Sequence, residues 1–229
     1  AGTPSVIEWQ VAKADLGSPN TLWVEIWNTG GGGGDNAQDT INNPADDWNA
    51  TDWSTQAVLA NSTQFGAPLV DGQIDQVYGA PIASDSAGDG NGNPNMDLLD
   101  LYVAEDINYL YFAYTINADI GATNWGKYVM YVDTTNDANG ATSDAWTRNV
   151  VVNDPHKPEY GIYTWVDAAP YDPSDTQIVP WTGSAWDWGN VRQVAAGAFT
   201  EPLLVASGLP VADLAATWEG AIPEMMAED

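Results

Sequence analysis

Short runs of aromatic and aliphatic residues, each bounded by Gly, Pro, Asn or Asp, recur along the chain and limit the folds open to it. Such runs are typical of β-strands, and the residues between them are typical of turns. The best helix signal covers only residues 210–214. We therefore predict an all-β fold, an antiparallel β-sandwich of jelly-roll or immunoglobulin-like type with long Asp/Asn/Gly loops. The predicted strands cover residues 6–11, 22–27, 99–104, 109–116, 127–133, 161–166 and 178–181.

Two of these runs carry enough detail to predict their surroundings. Ile7, Trp9 and Val11 occupy alternate positions, so they should be buried on one face of a paired strand. Residues 109–116 are apolar or aromatic at both parities, which indicates a central strand covered on both sides. Between two runs, residues 106–108 read as a tight turn, because Asp and Asn tolerate turn dihedrals.

The charge of the chain excludes several classes of partner. It contains 32 acidic and 5 basic residues, for a net charge of −27. A surface this negative repels phosphate backbones and anionic lipid headgroups, so we expect neither nucleic acid nor a membrane surface as partner. No apolar run approaches the roughly 18 residues needed to cross a bilayer, so we expect no membrane insertion. The 12 Trp, 10 Tyr and 3 Phe residues indicate a folded rather than a disordered acidic chain.

The residues that usually perform catalysis are scarce. The chain has no cysteine and one histidine, His156, which excludes disulfides, thiolate catalysis and Cys-ligated zinc. Two carboxylates can hydrolyse a glycosidic bond at a suitable separation, but among 32 acids some pair meets that distance by chance. No nucleophile elbow or phosphate-binding loop is present. We expect a protein that is not an enzyme.

Three long loops are rich in Asp, Asn and Gly, at residues 30–52, 85–97 and 133–144. Carboxylate and amide oxygens spaced by small residues can wrap around calcium. We predict calcium ligands in two sets, one of Asp85, Asp89, Asn91, Asn93, Asn95 and Asp97, the other of Asp133, Asn136, Asp137, Asn139 and Asp144. A third acidic set comprises Asp35, Asp39, Asp46, Asp47 and Asp52. Solvated acidic loops, or a surface adapted to high salt, would give the same composition.

The tryptophans divide into two groups. Trp9, Trp23, Trp125 and Trp165 lie in or beside predicted strands, where large rings usually belong to the core. Trp181, Trp186 and Trp188 lie close together in a segment with Gly and Asp. They can form an exposed platform on which sugar rings stack, and a hairpin packed against its neighbour explains them equally well.

Several motifs in order carry a resemblance to a known family. They are VDGQID at 70–75, the stretch at 84–116, GKYVMYVDTTNDANGATSDAW at 126–146, KPEYGIYTWVD at 157–167 and WTGSAWDW at 181–188. This part of the chain resembles the secreted β-sandwich modules of amylopullulanases, glucodextranases and related family 57 glycoside hydrolases. That group is similar to DOMON domains and to family 9 carbohydrate-binding modules. The resemblance implies a β-sandwich, secretion and binding of α-glucan or a related polysaccharide.

The order of the motifs is permuted relative to those modules. There the head, here residues 71–75, opens the domain, and a block like residues 8–30 with Asp52-Trp53 closes it; in this chain the closing block comes first. We treat residues 1–229 as one β-sandwich domain, with 1–65 as the closing block and 66–229 as the main body. The block can fold back on its own chain, which is the default, or complete the sheet of a neighbouring subunit.

Two functions of different classes follow. The first is an extracellular or cell-surface structural subunit that assembles with copies of itself into a filament, tube or surface array, through strand complementation and with calcium. The permuted order and the acidic loops favour it narrowly. The second is a secreted carbohydrate-binding module, favoured by the resemblance and by Trp181, Trp186 and Trp188. The first residues, Ala1-Gly2-Thr3-Pro4, are compatible with the end left by signal-peptide cleavage.

Overall fold

The structure is a computed structural model. It describes residues 5–41, 51–52, 58–60, 64–118, 120, 126–152, 156–166, 176–189, 192–193 and 195–199. The weak helix signal at 210–214 and the side chains of Asp46, Asp47, Asp52 and Trp125 lie outside this description. Within the described ranges, no helix has the length and apolar character needed to cross a membrane.

Strands dominate the described residues, as predicted. They are β1 Ser5–Ala12, β2 Trp23–Thr29, β3 Ala37–Thr40, β4 Thr51–Asp52, β5 Val58–Leu59, β6 Ala83–Ser84, β7 Leu98–Glu105, β8 Tyr109–Ile116, β9 Gly126–Asp133, β10 Val150–Val151, β11 Tyr160–Val166, β12 Gln177–Pro180, β13 Arg192–Gln193 and β14 Ala195–Phe199. Two 3₁₀ turns, Lys13–Leu16 and Gln76–Tyr78, interrupt them. Each of the seven runs predicted as strands is a strand.

The long strands form two antiparallel sheets. The first has the order β14-β1-β8-β7-β6, and the second has the order β13-β12-β11-β9-β2-β3, with β5 also paired to β2. A short parallel pair, β10 with β4, lies outside both. One large apolar cluster includes side chains from both sheets, such as Trp9, Phe112, Ile26 and Met130. The all-β antiparallel sandwich is therefore confirmed.

Strand β8 is the middle strand of the first sheet, and both of its faces are covered. Phe112 and Tyr114 are fully buried on one face, and Tyr111 and Ala113 are buried on the other. This confirms the predicted central strand. The preceding turn is also confirmed, because Asp106 Oδ1 accepts hydrogen bonds from the amides of Asn108 and Tyr109, each 2.7 Å long.

Strand β1 lies between β14 and β8 and pairs with β8 over its whole length. Ile7, Trp9 and Val11 are at most 1% exposed, so the predicted buried face is confirmed. In this structure the strand pairs within its own chain. The closing block contributes to both sheets, since β1 belongs to the first sheet while β2, β3 and β5 belong to the second.

A buried carboxylate on β1 holds the block against the head motif. Glu8 Oε2 accepts hydrogen bonds from the amides of Asp71 at 2.9 Å and Gly72 at 2.6 Å, and Oε1 accepts one from the Tyr78 hydroxyl at 2.9 Å. Burial raises the pKa of Glu8 to about 7, although these hydrogen bonds favour its charged form. Hydrogen bonds thus attach the head motif of the main body to strand β1 of the closing block.

Replacing Glu8 tests this attachment. Glu8→Ala leaves three donors, of which the Tyr78 hydroxyl is buried, without their acceptor, and we expect the free energy of unfolding to fall by about 2–3 kcal/mol. Glu8→Gln should cost less than about 1 kcal/mol, because its amide oxygen can accept the two backbone bonds while its NH₂ donates to Tyr78. Urea unfolding at pH 8 measures both values. Equal losses for the two variants would contradict the role assigned to the acceptor oxygens.

Candidate metal centre

The candidate site begins on two neighbouring strands of the closing block. Asn28 on β2 and Asp39 on β3 are directly opposite each other in the antiparallel ladder, so their side chains share one face. Val24 and Ile26 precede Asn28 at alternate positions and belong to the core between the sheets. The two-residue period of a strand therefore directs Asn28 towards the interior, where it is fully buried.

The loop between β6 and β7 closes over this face. Asn28 Nδ2 donates to the carbonyl of Met96 at 2.5 Å, and Gln38 Nε2 donates to the carbonyl of Gly90 at 3.2 Å. Gly90 lies so close to the other arm of the loop that a Cβ atom there would stand 2.8 Å from Asp97 Cα. Glycine at this position lets the two arms of the loop approach each other.

Three carboxylates meet where the loop covers the strands. Oxygen atoms of Asp39, Asp89 and Asp97 all lie within 4.8 Å of one another. It is the only group of three or more possible acidic or histidine metal ligands in the part of the chain that the structure describes. Asp39 is fully buried, and Asp97 is 1% exposed. Like charges so close together repel strongly in a buried site, and a divalent cation removes that repulsion.

The pKa of Asp39 reflects this environment. It is raised to about 8, mainly by burial and also by the charges of Asp85, Asp89 and Asp97. One hydrogen bond opposes the shift, because the Leu98 amide donates to Asp39 Oδ2 at 2.6 Å. Burial also raises the pKa of Asp89, again with a contribution from Asp97.

Several oxygens of the site are shielded from solvent without a donor. Oδ1 of Asn28, Asp89 and Asp97 accepts no hydrogen bond from an N–H or hydroxyl group, although the side chains of Asp89 and Asp97 interact with each other. The other oxygen of Asp97 accepts bonds from the Gly88 amide at 2.8 Å and from Asn117 Nδ2 at 2.7 Å, which fix the orientation of the carboxylate. An oxygen-only donor set with oriented carboxylates is what hard cations such as Ca²⁺ prefer.

The remaining members of the first predicted set surround this cluster without joining it. Asp85 Oδ1 accepts a bond from the Ser86 amide, and its charge acts on Asp39. Asn91 is exposed, and Asn93 bonds back to the Asn91 carbonyl. Asn95 uses its carbonyl to accept a bond from the Tyr128 hydroxyl at 2.7 Å. Of the first set, the structure brings only Asp89 and Asp97 into the group of three.

The second predicted set is used differently, because protein donors engage its carboxylates. Asp144 accepts four bonds, from the hydroxyls of Tyr131 and Tyr163 and from the amides of Trp146 and Arg148. Asp133 accepts bonds from the amides of Thr135 and Asn136 and pairs with His156 Nδ1 at 2.7 Å. Exposed Asp137 accepts a bond from the Asn139 amide, which lowers its pKa. Asp133, Asp137 and Asp144 do not form a group of three like that of Asp39, Asp89 and Asp97.

Sequence reasoning missed part of the cluster. Asp39 belonged to the third acidic set, apart from Asp89 and Asp97, and Asn28 was not singled out. The available signal is that Asn28 continues the inward-facing positions of Val24 and Ile26, where a polar residue needs a partner. Of the described members of the third set, Asp39 belongs to the cluster, while Asp35 Oδ2 accepts the amide of Gly32 in a turn.

The three clustered tryptophans occupy different environments. Trp186 donates to the Ser143 carbonyl at 2.6 Å, stacks on Tyr131 at 6.2 Å between ring centroids, and meets Trp181 edge-on at 5.6 Å. Trp188 is 46% exposed. Trp186 packs against a small apolar cluster on the second sheet, so only Trp188 presents a large exposed surface. Trp9 is fully buried in the core, as predicted, whereas Trp23 and Trp165 are half-buried.

No protein-family model, curated protein or solved structure matches this chain.

The raised pKa values predict how stability depends on pH without metal. A carboxyl whose pKa is raised to about 8 (Asp39) or about 7 (Glu8) still binds its proton in the folded protein at a pH where the unfolded chain has lost it. The resulting stability is complete below about pH 4 and is lost as the pH rises towards 8. After removal of metal, we expect a higher melting temperature at pH 5 than at pH 8. An equal or reversed order in calorimetry would contradict these pKa shifts.

Calcium should compensate for that loss at pH 8. A ligand that binds only the folded state at a hundredfold excess over Kd adds about 2.7 kcal/mol to the free energy of unfolding. For a domain of this size, that corresponds to a rise in melting temperature of about 5–10 °C. The comparison is a melt in millimolar calcium against one in excess chelator. Identical melts would exclude a stabilising calcium ion.

Proposed function

We propose that this chain is an extracellular, non-catalytic structural subunit that assembles with copies of itself through strand complementation, stabilised by calcium. The observation that carries the proposal is the position of β1 between β8 and β14. A strand in that position fills a groove in the rest of the chain, and the contacts are the same whether it comes from the same chain or from a neighbour.

The contacts that β1 makes within its own chain are ones that a donated strand could also make. It pairs with β8 over eight consecutive residues, from Ser5 with Ile116 to Ala12 with Tyr109. Ile7, Trp9 and Val11 enter the core, and fully burying an aliphatic or aromatic side chain contributes about 1.5–3 kcal/mol. Without β1, the ladder edge of β8 and an apolar groove would be exposed, which favours its filling by any available copy of the strand.

The proposal also draws on the sequence. In this chain the closing block precedes the head motif, which it contacts through Glu8. In the secreted modules that the chain resembles, the closing block follows the main body. Donation of the block from one subunit to the body of another would restore that order between subunits. The net charge of −27 opposes contact between copies, and a divalent cation would reduce that repulsion. The suggested extracellular location rests on the same resemblance.

A disulfide placed across β1 and β8 tests the proposal. Val6 and Thr115 are directly opposite and both half-buried, and the chain contains no cysteine. Opposite residues in such a ladder have Cα atoms about 4.5–5.5 Å apart, within the range that a disulfide spans. Full-length protein with Val6→Cys and Thr115→Cys, assembled in calcium and then oxidised, should give a ladder of covalent oligomers on a non-reducing gel.

The single variant Val6→Cys is the matched control and should give no species beyond a dimer. If the double variant forms only a monomer with an internal disulfide, the strand closes on its own chain and assembly through β1 is excluded. Electron microscopy of the unoxidised protein, with and without calcium, shows whether an oligomer is a filament, a tube or an array.

Carbohydrate binding is the second candidate, because Trp188, which follows Trp181 and Trp186 in the sequence, is 46% exposed. An exposed indole ring can stack on a sugar ring, and the resemblance to family 9 carbohydrate-binding modules implies α-glucan or a related polysaccharide. This candidate differs from the first in needing no contact between copies.

Two tryptophan variants separate packing from glycan binding. Trp188→Ala should change the melting temperature little, since Trp188 is 46% exposed, and should reduce retention on insoluble starch if the second candidate is correct. Trp186→Ala should lower the free energy of unfolding by about 3 kcal/mol, because it removes a ring packed on Tyr131. Starch pull-down and thermal melts give both values. Wild-type protein that does not bind starch or a panel of α-glucans would exclude this candidate.

A further inference from the structure

The oxygens without a donor around Asp39, Asp89 and Asp97 come from two different parts of the chain. Asp39 and Asn28 belong to β3 and β2 of the closing block, while Asp89 and Asp97 belong to the loop that precedes β7. The buried Oδ1 atoms of Asn28, Asp89 and Asp97 accept no hydrogen bond from an N–H or hydroxyl group. A buried oxygen without a donor is costly, and a cation among these atoms would satisfy all of them at once.

The position of Asn28 supports its inclusion. Its side chain shares a face with Asp39, directly opposite in the ladder, and its Nδ2 atom is fixed by the Met96 carbonyl, one residue before Asp97. With the nitrogen bound there, the amide oxygen remains as a neutral oxygen donor on the face that Asn28 shares with Asp39. We infer that Asn28, Asp39, Asp89 and Asp97 form a calcium site that bridges the closing block and the main body.

Bridging makes calcium binding and block docking interdependent. Without calcium, docking brings the Asp39 carboxylate next to Asp89 and Asp97, and their repulsion opposes it. With calcium, the same approach completes the donor set. A complete site exists only when the block is docked, so calcium at a hundredfold excess over Kd shifts the docking equilibrium about a hundredfold, and by reciprocity docking tightens calcium binding.

This inference deepens the proposed function and rests on its calcium component. If the block is donated between subunits, the ion lies at the junction of two copies, and calcium controls assembly. If the block closes on its own chain, the same ion holds the sandwich shut. Direct contacts that do not need the ion, such as Gln38 Nε2 to the Gly90 carbonyl, position the loop beforehand.

Calorimetric titration of metal-free, full-length protein with calcium chloride tests the ligands. We expect one site with a dissociation constant of about 10⁻⁴–10⁻³ M, the range of extracellular calcium modules, or tighter. Asp39→Asn, in the block, and Asp89→Asn, in the body, should each weaken binding tenfold or more. Asp35→Asn is the matched control in the block, and Asp137→Asn is the control in a second acidic loop. For both variants, the dissociation constant for calcium should stay within twofold of the wild-type value.

Two outcomes would overturn the inference. Wild-type protein that binds no calcium at millimolar concentration has no such site. If Asp89→Asn weakens binding while folded Asp39→Asn does not, the ion belongs to the loop alone and does not bridge. Asp39 also accepts two backbone bonds, so its variant can lose stability, and a measurement without substitution is needed as well.

Paramagnetic Mn²⁺ bound to the unmodified protein provides that measurement. The amides of Thr40 and Leu98 both donate to Asp39. Their resonances should therefore be among the first to broaden as Mn²⁺ is added, together with those of Asp89 and Asp97. Broadening that is confined to residues 85–97, or that centres on residues 133–144, would refute a bridging site.

Amide hydrogen exchange tests the coupling itself. Calcium should slow exchange in β1, β2 and β3 as well as in residues 85–97. In Asp89→Asn, calcium should slow exchange in none of these segments. Slowing confined to the loop would refute coupling. The hydrogen-exchange and disulfide experiments test different proposals. A chain that closes on itself can show slower exchange in calcium without forming covalent oligomers. A chain that assembles without calcium forms covalent oligomers but shows no effect of calcium on exchange.

Discussion

The insertion of Trp9 between the two sheets is the contact on which the arrangement of the N-terminal block depends. Its ring is fully buried, meets Tyr114 of β8 edge-on at 5.1 Å between centroids, and donates from Nε1 to Thr164 Oγ1 of β11 at 3.0 Å. One side chain therefore joins the block to both sheets. Truncating a buried tryptophan typically costs about 3–5 kcal/mol, so this ring sets the position of β1 within the sandwich.

Once the block is in place, the protein must accommodate carboxylates in its interior, and it does so in distinct ways. Asp144 is surrounded by two tyrosine hydroxyls and two amides, and Glu8 by two amides and a hydroxyl. Asp133 has two amides and His156. In the cluster of Asp39, Asp89 and Asp97, by contrast, donors reach only some of the oxygens. This difference separates a candidate cation site from structural acceptors that have the same composition.

The strands were predictable from the sequence because their signal is local. Alternation in residues 6–11 indicates the face buried in the core, although it does not show that Glu8 on the other face is buried as well, and continuous apolarity in residues 109–116 indicates a strand covered on both faces. The cluster was only partly predictable, because it depends on the register of β2 with β3 and on the loop that closes over them. Asn28 and Asp39 are opposite each other only through that pairing, and neither is near Asp89 in sequence. From composition alone, Asp133, Asp144 and Asp97 were all predicted to be calcium ligands. Composition does not show which carboxylate oxygens accept hydrogen bonds from protein donors.

The two features that stand out physically lie on the same segment of chain. The strand that completes the first sheet and the strands that carry Asn28 and Asp39 all belong to residues 5–41. The contacts of these strands with the main body differ in how they depend on ions. Burial of Ile7, Trp9 and Val11 is favourable at any ionic composition, whereas the approach of Asp39 to Asp89 and Asp97 is favourable only when positive charge is supplied. Apolar packing thus sets the docking position of the block, and a cation bound at the cluster would make the docking strength depend on the cation concentration.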